Sequence, residues 1–287
     1  MGVLNITPDS FSDGGRFTSL DAALAQASKL IAEGASIIDV GGESTRPGAT
    51  RLTPDAEQAR VLPVIQTLMT LPKVASGAVA ISIDTLNSTT AALAVRAGAT
   101  IVNDVSGGQA DPLMFETVAN LQSAGLSVFY VLGHWANFEA GAGAVQETED
   151  IVESVRQELA ERVQLAEVAG ISRAQIVIDP GLGFGKGSDQ NLRLLESFGA
   201  LASLELPILI GASRKRFLAA QIAVANSIEL TEVTVEQRDA ATASLSARLW
   251  GQVLDGKKAD LLWGFRVHNV HANLDALQAA SALRFAR

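Results

Sequence analysis

The chain has 287 residues, 48% hydrophobic and 18% charged, with a formal net charge of -9. This composition supports a large buried core and excludes a disordered chain or a broad basic surface for nucleic acid. There is no cysteine, which excludes disulfides and thiolate metal sites. No apolar run approaches the roughly 20 residues that span a bilayer. The N-terminus lacks the basic-then-apolar pattern of a secretory signal, so a soluble cytoplasmic protein with no membrane partner is expected. Met1-Gly2 opens as a myristoylation motif does, but Ile6 stands where Ser or Thr is needed.

Apolar, β-branched segments ending in polar, charged or glycine residues recur at 2–10, 37–47, 81–85, 101–108, 128–135, 176–181, 208–215 and 265–270. Short strands covered on both faces read this way, because each face packs against something apolar. Helical stretches lie between them. Residues 21–33 are rich in Ala and Leu and stop at Gly34. Thr53-Pro54 starts a helix in which Pro63 predicts a kink. Asp111-Pro112 starts another that ends at Gly125, and 150–169 forms the longest pattern, ending at Gly170. Further helices are predicted at 188–201, 235–250 and 273–285, and a loop at 140–143. The alternation predicts an α/β fold, a (β/α)8 TIM barrel forming a single domain over 1–287, with its site at the C-terminal ends of the strands. Residue 1 already lies at or beside the first strand, with no preceding segment to plug the lower end, so the start is expected to be either native and compact or shortened.

Asp84, Asn103 and Asp179 each follow a short apolar run. Side chains at barrel-strand ends project into the bowl, where a half-buried ion needs a partner. Two carboxylates and an amide suit a flat heterocycle bearing amino and lactam groups, although a lone Asp there more often caps a helix or loop. The segment Asp179-Pro180-Gly181-Leu182-Gly183-Phe184-Gly185-Lys186 invites a phosphate-loop reading and fails it. Pro180 stands at the first glycine and Gly187 at the Ser/Thr, and the dinucleotide fingerprint fails at Lys186. What remains is a loop built for close approach, with Phe184 facing a ligand. Gly211-Ala212-Ser213-Arg214-Lys215-Arg216 places Arg214 and Lys215 where a strand-end loop can hold an anion or a polarised carbonyl. Arg266 and His268, two apart, face one side of a strand and suit a pyrophosphate.

Two long polar loops, after Asn5 and after Gly42, border the bowl as lids would. Asn5 offers a neutral oxygen that can join phosphate oxygens around Mg²⁺. His134, His268 and His271 have no partner at zinc-ligand spacing.

Taken together, these motifs resemble the dihydropteroate synthase family, from Gly2 to Leu277 and in the right order. The first loop, Gly2-Val3-Leu4-Asn5-Ile6-Thr7-Pro8-Asp9-Ser10, and the second, Gly41-Gly42-Glu43-Ser44-Thr45-Arg46-Pro47-Gly48, look like its two substrate loops. Ile83-Asp84-Thr85, Asn103-Asp104, Asp179-Pro180-Gly181, Ser213-Arg214-Lys215 and Arg266-Val267-His268 match its other strand-end motifs. The resemblance implies that Asp84, Asn103, Asp179 and Lys215 hold a pterin. It implies that Asn5, Arg266 and His268 hold diphosphate, with Asn5 on Mg²⁺, and that Arg266, His268 and Lys215 are catalytic. Thr45, Arg46, Pro47, Phe184 and Ser213 would shape the p-aminobenzoate site, with Gly183 in the same substrate-binding set. The implied reaction joins 6-hydroxymethyl-7,8-dihydropterin diphosphate to p-aminobenzoate, in a sulfonamide-target enzyme acting as a homodimer on small molecules. Diphosphate would bind first and order the loops around Asp9 and Thr45.

Two positions depart from the family pattern. Gly133-His134-Trp135 stands where the family has Met-His-Met, so the methionine wall of the pterin site is absent. Asn269 replaces the Asp that commonly follows the Arg-Val-His triplet. Two other readings remain open at this stage: a pterin-binding methyltransferase barrel, and a pterin-binding paralogue without turnover.

Overall fold

A computed structural model describes residues 1–6, 16–43, 51–136, 138, 145, 147–255 and 261–284. Eight strands run parallel and pair in chain order: β1 (Gly2–Asn5), β2 (Ile37–Gly41), β3 (Ala80–Asp84), β4 (Ile101–Asp104), β5 (Phe129–Gly133), β6 (Ile176–Asp179), β7 (Ile208–Ile210) and β8 (Leu262–Phe265). The sheet closes beyond β8, where Val267 bridges Gly2. Val3 N–H donates to the Val267 carbonyl at 3.0 Å, and Val267 N–H donates to the Met1 carbonyl at 2.9 Å. This is the expected (β/α)8 barrel.

The eighth strand lies earlier than the segment 265–270. Its pairing with β7 slips between Ile208 and Leu209, so that Ile208 faces Leu262 and Leu209 faces Gly264. Trp263 is the extra residue of that bulge, and a glycine beside it hides the strand from a search for apolar runs.

Helices α1 (Arg16–Ala32), α2 (Pro54–Leu68), α3 (Pro72–Ala75), α4 (Ser88–Arg96), α5 (Met114–Ser123), α6 (Ile151–Val168), α7 (Ser188–Glu196), α8 (Phe198–Leu201), α9 (Arg216–Asn226), α10 (Val235–Asp255) and α11 (Val270–Arg284) fill the crossovers. The start of α2 is set by Thr53, whose hydroxyl accepts from Ala56 N–H, and the helix continues through Pro63. Asp150 caps α6 by accepting from the N–H groups of Val152 and Glu153. The stretch 188–201 is two helices rather than one, parting at Ser197. Two helices add to those predicted from sequence: α4, bounded by Asn87 at its N-cap and Gly98 just past its end, and α9, which has neither signal. The loop expected at 140–143 lies outside the described residues.

Successive strand residues face opposite ways. Outward side chains such as Ile38, Ile83, Tyr130, Leu132 and Ile178 join the inner faces of the helices in one large core. Inward, Ile101, Val131, Val177 and Leu209 form a separate apolar plug, packed against Ile37, Ala80, Phe129 and Trp263. Side chains therefore fill the lower barrel, and the upper barrel is left for polar groups.

Candidate active site

One step above the plug, the inward positions turn polar. Arg266, just past β8, donates from Nε to Asp39 Oδ2 at 2.5 Å and from Nη2 to Asp84 Oδ2. Asp39 Oδ2 also accepts from Asn103 Nδ2 at 3.2 Å. Burial pushes the Asp84 carboxyl up, while Arg266 pulls it back toward the ionised form. Arg266 is raised further, the two carboxylates outweighing its desolvation.

Asp39 was not singled out from sequence. It sits mid-strand on β2, is fully buried, and keeps Oδ1 without a hydrogen bond among the described residues. The available signal was an acidic residue between apolar neighbours in a strand covered on both faces. A carboxylate survives there only if it is paired.

Asp179, at the end of β6, accepts from Gly181 N–H through Oδ1 at 2.7 Å, and no protein donor meets Oδ2 among the described residues. Burial raises its carboxyl pKa, and Lys215 opposes that shift. The loop after Asp179 is built on a buried lysine. Lys186 Nζ donates to the carbonyls of His134 (3.2 Å), Gly181 (3.0 Å) and Phe184 (3.0 Å), and lies 2.8 Å from His134 Nδ1. Burial holds this lysine down to about 7. Burial, followed by the charge of Lys186, holds His134 down to about 4, so the ring is neutral and its Nε2 faces Glu158 at 3.1 Å. The lysine that resembled a phosphate ligand is therefore a staple for the loop. Gly181 is required by the same packing: its φ is +63°, and a Cβ would lie 1.7 Å from the His134 carbonyl oxygen.

Lys215 comes into the bowl from the loop after β7, the strand beside β6. Its Nζ donates to the Leu182 carbonyl and lies 4.4 Å from the centre of the Phe184 ring. Burial lowers Lys215 to about 8, with Asp179 acting against the fall. A Cβ on Gly183 would meet the Lys215 stem at 3.2 Å, so glycine there makes room for the lysine. Next to Lys215, Ser213 Oγ lies 3.0 Å from His268 Nδ1 and accepts from the His268 backbone N–H at 3.1 Å. Arg214, read from sequence as a partner of Lys215 for an anion, points elsewhere and is bound by Asp239 at 2.7 and 2.9 Å.

A side chain at Gly133 would place its Cβ 2.5 Å from the Val105 Cα, so no methionine fits. Trp135, two residues on, is buried with Leu86 and Val105, and the centre of its ring lies 4.8 Å from that of Phe184. Asn5 ends β1 beside Asp84, and Gly41 between them leaves space. A Cβ at Gly41 would stand 3.7 Å from Asn5 Oδ1 and 3.7 Å from Asp84 Oδ2. Among the described residues, no three His, Cys, Asp or Glu side chains are grouped to hold a metal. Any Mg²⁺ near Asn5 would take most of its oxygens from water and phosphate, which is the usual habit of that ion. Thr45, Arg46, Pro47 and both long loops lie outside the described residues.

The structure thus brings together Asp84, Asn103, Asp179, Lys215 and Arg266, with Ser213, Phe184, Gly183, His268 and Asn5 on their rim. Among the described residues, no helix is long and apolar enough to cross a membrane. The family model described as pterin binding enzyme matches residues 1–256. Dihydropteroate synthase of Mycobacterium leprae (strain TN) is 43% identical over 98% of this chain and 92% of its own length. The structure of Xanthomonas albilineans dihydropteroate synthase with 4-aminobenzoic acid has a TM-score of 0.82 at 37% identity, covering 99% of this chain and 92% of that one. The complex of that enzyme with 7,8-dihydropteroate gives 0.79 at 34% identity, with the same 99% and 92% coverage. The chain belongs to the dihydropteroate synthase family of pterin-binding enzymes.

Proposed function

We propose that this chain joins 6-hydroxymethyl-7,8-dihydropterin diphosphate to p-aminobenzoate, giving 7,8-dihydropteroate and diphosphate. The observation that carries this reading is the polar layer itself, in which Asp84, Asn103 and Asp179 surround one guanidinium and one ammonium above an apolar plug. Asp179 Oδ2 and Asp84 offer acceptors for the amino and ring N–H groups of a pterin. Asn103 spends its amide hydrogen on Asp39, which turns its carbonyl oxygen into an oriented acceptor. Lys215 keeps hydrogens for a lactam oxygen or ring nitrogen, and Phe184 and Trp135 cover the ring face.

The reaction breaks the bond between the pterin methylene and the diphosphate oxygen and forms one to the aromatic amine nitrogen, which then loses a proton. As the first bond stretches, the methylene gains positive charge, stabilised by ring delocalisation and by the buried carboxylates. Arg266 and His268 meet the charge growing on the leaving diphosphate. The amine is neutral near pH 7, so no strong base is needed, and the proton it loses passes to water or to the departing diphosphate. Asn5, beside the space over Gly41, would hold Mg²⁺, which when bound neutralises diphosphate charge. Thr45, Arg46, Pro47 and Ser213 belong to the p-aminobenzoate side of the same proposal.

We also assign the protein to the cytoplasm, since a charged diphosphate does not cross a bilayer unaided, and to a homodimer, supported by Leu165 and Val168 exposed on α6. Cell fractionation and sedimentation check these two points. The main test is diphosphate release from both substrates with Mg²⁺, using Arg266→Ala and a chelator as controls. Release that depends on both substrates is expected. Tight pterin binding with no release would leave a binding protein instead.

A further inference from the structure

We propose that Asp239, on α10 and outside the bowl, is a positioning residue that sets Lys215 and Ser213 in place by clamping Arg214 in a left-handed backbone. The proposal rests on the reading that Lys215 meets the pterin. Arg214 lies between two site residues and has φ +59°. A residue with a side chain holds that conformation only where its surroundings over-determine it. Asp239 supplies those surroundings. Its Oδ1 accepts from Arg214 Nε at 2.7 Å and its Oδ2 from Nη2 at 2.9 Å, a two-pronged grip that fixes both distance and direction.

The grip is reinforced on each side. Arg214 N–H donates to Thr242 Oγ1, almost one helical turn beyond Asp239 on α10, at 3.3 Å. Asn269 Nδ2 donates to Asp239 Oδ2 at 3.3 Å, so the same carboxylate also holds the loop that carries His268. Asp239 is only 8% exposed, and its partners hold its carboxyl below the usual range although burial pushes the other way. The reversal of the chain at Arg214 is what sends Lys215 toward Leu182 and Phe184 while Ser213 faces His268. If Arg214 relaxed to an ordinary φ, both neighbours would swing out of the site.

Glycine adopts a positive φ without a clamp, and this gives the test. Asp239→Ala is compared with the double variant Arg214→Gly/Asp239→Ala, which removes both members of the ion pair and keeps the turn. Two readouts are used: affinity for 6-hydroxymethylpterin by calorimetry, and titration of Lys215 followed by the resonance of its ¹³C-dimethylated amine, assigned with Lys215→Arg. Asp239→Ala is expected to weaken pterin binding about tenfold and to move the Lys215 titration up toward that of an ordinary lysine. The double variant is expected to restore both. If Asp239→Ala does not fold, Asp239→Asn, which keeps one acceptor, replaces it in the same comparison. Unchanged Lys215 titration in a folded Asp239 variant, or failure of the glycine to restore it, overturns the proposal. The amine titration needs no substrate, so it decides the clamp even if the wild-type protein binds no pterin, an outcome that would count against the functional reading alone.

Discussion

On two of the strands, a step of two residues separates two kinds of interior. Ile101 lies below Asn103 on β4, and Val177 below Asp179 on β6. Both layers are buried, Val177 at 0% exposure and Asp179 at 6%, so burial does not distinguish them. The lower layer stabilises by removing apolar surface from water and needs no particular partner. In the upper layer each charge survives only through a named counter-charge or donor, and some acceptors, such as Asp179 Oδ2, are left for a ligand. The lower layer therefore bears mainly on stability and the upper layer on affinity.

The largest effect is expected at Arg266. Arg266→Ala leaves Asp39 fully buried with Asn103 as its remaining hydrogen-bond donor among the described residues, and removing one partner of a buried ion pair costs about 3–5 kcal/mol. Urea unfolding should show that loss alongside loss of turnover. A change in stability under about 1 kcal/mol would mean that Asp39 is not held by the guanidinium.

Leu209→Ala sharpens the other half. Truncating a fully buried leucine should cost about 3–4 kcal/mol of stability. The folded variant should keep its pterin affinity, because nothing above the plug changes partner. A large fall in calorimetric affinity at temperatures where the variant is folded would show that the plug also shapes the site.

Asp179→Ala should behave in the opposite way. Removing a charged acceptor from the pterin edge is expected to weaken binding by about 2–3 kcal/mol, with a smaller effect on unfolding. Calorimetry with a pterin ligand checks this, and unchanged affinity would remove Asp179 from the site.

The smallest effect is that of pH on Lys215. Its amine is held down to about 8, so below that pH the ammonium is present and can donate to the pterin. As pH rises through that value the free protein loses the proton, and ligand binding must restore it. Affinity should turn over near pH 8 and then fall by up to tenfold per unit. Lys215→Arg, charged throughout this range, should lack the inflection. The same inflection in the arginine variant would place the titration elsewhere.

Much of the site was legible because strand-end residues in a parallel barrel share one face. The runs before Asp84, Asn103 and Asp179 announced strands, and the polar residue ending each one announced the bowl. Asp39 escaped because it stands inside its run, where a search for strand ends does not look. Arg214 was misread because adjacency to Lys215 suggested a shared anion, whereas a positive φ turns the two side chains apart. Lys186 was rightly withheld from a phosphate loop, but its place among three carbonyls depends on His134, 52 residues away.

By itself, the sequence determined the alternation of strands and helices, the barrel, the family, and most residues at the C-terminal ends of the strands. These follow from local periodicity and from motifs that keep their order along the chain. The tertiary structure decided the pairings: Arg266 with Asp39 and Asp84, Lys186 with His134, Asp239 with Arg214, and Trp135 with Phe184. Each joins residues from different strands, loops or helices. Barrel closure and the slip at Trp263 set which of them meet, and no local pattern records that register.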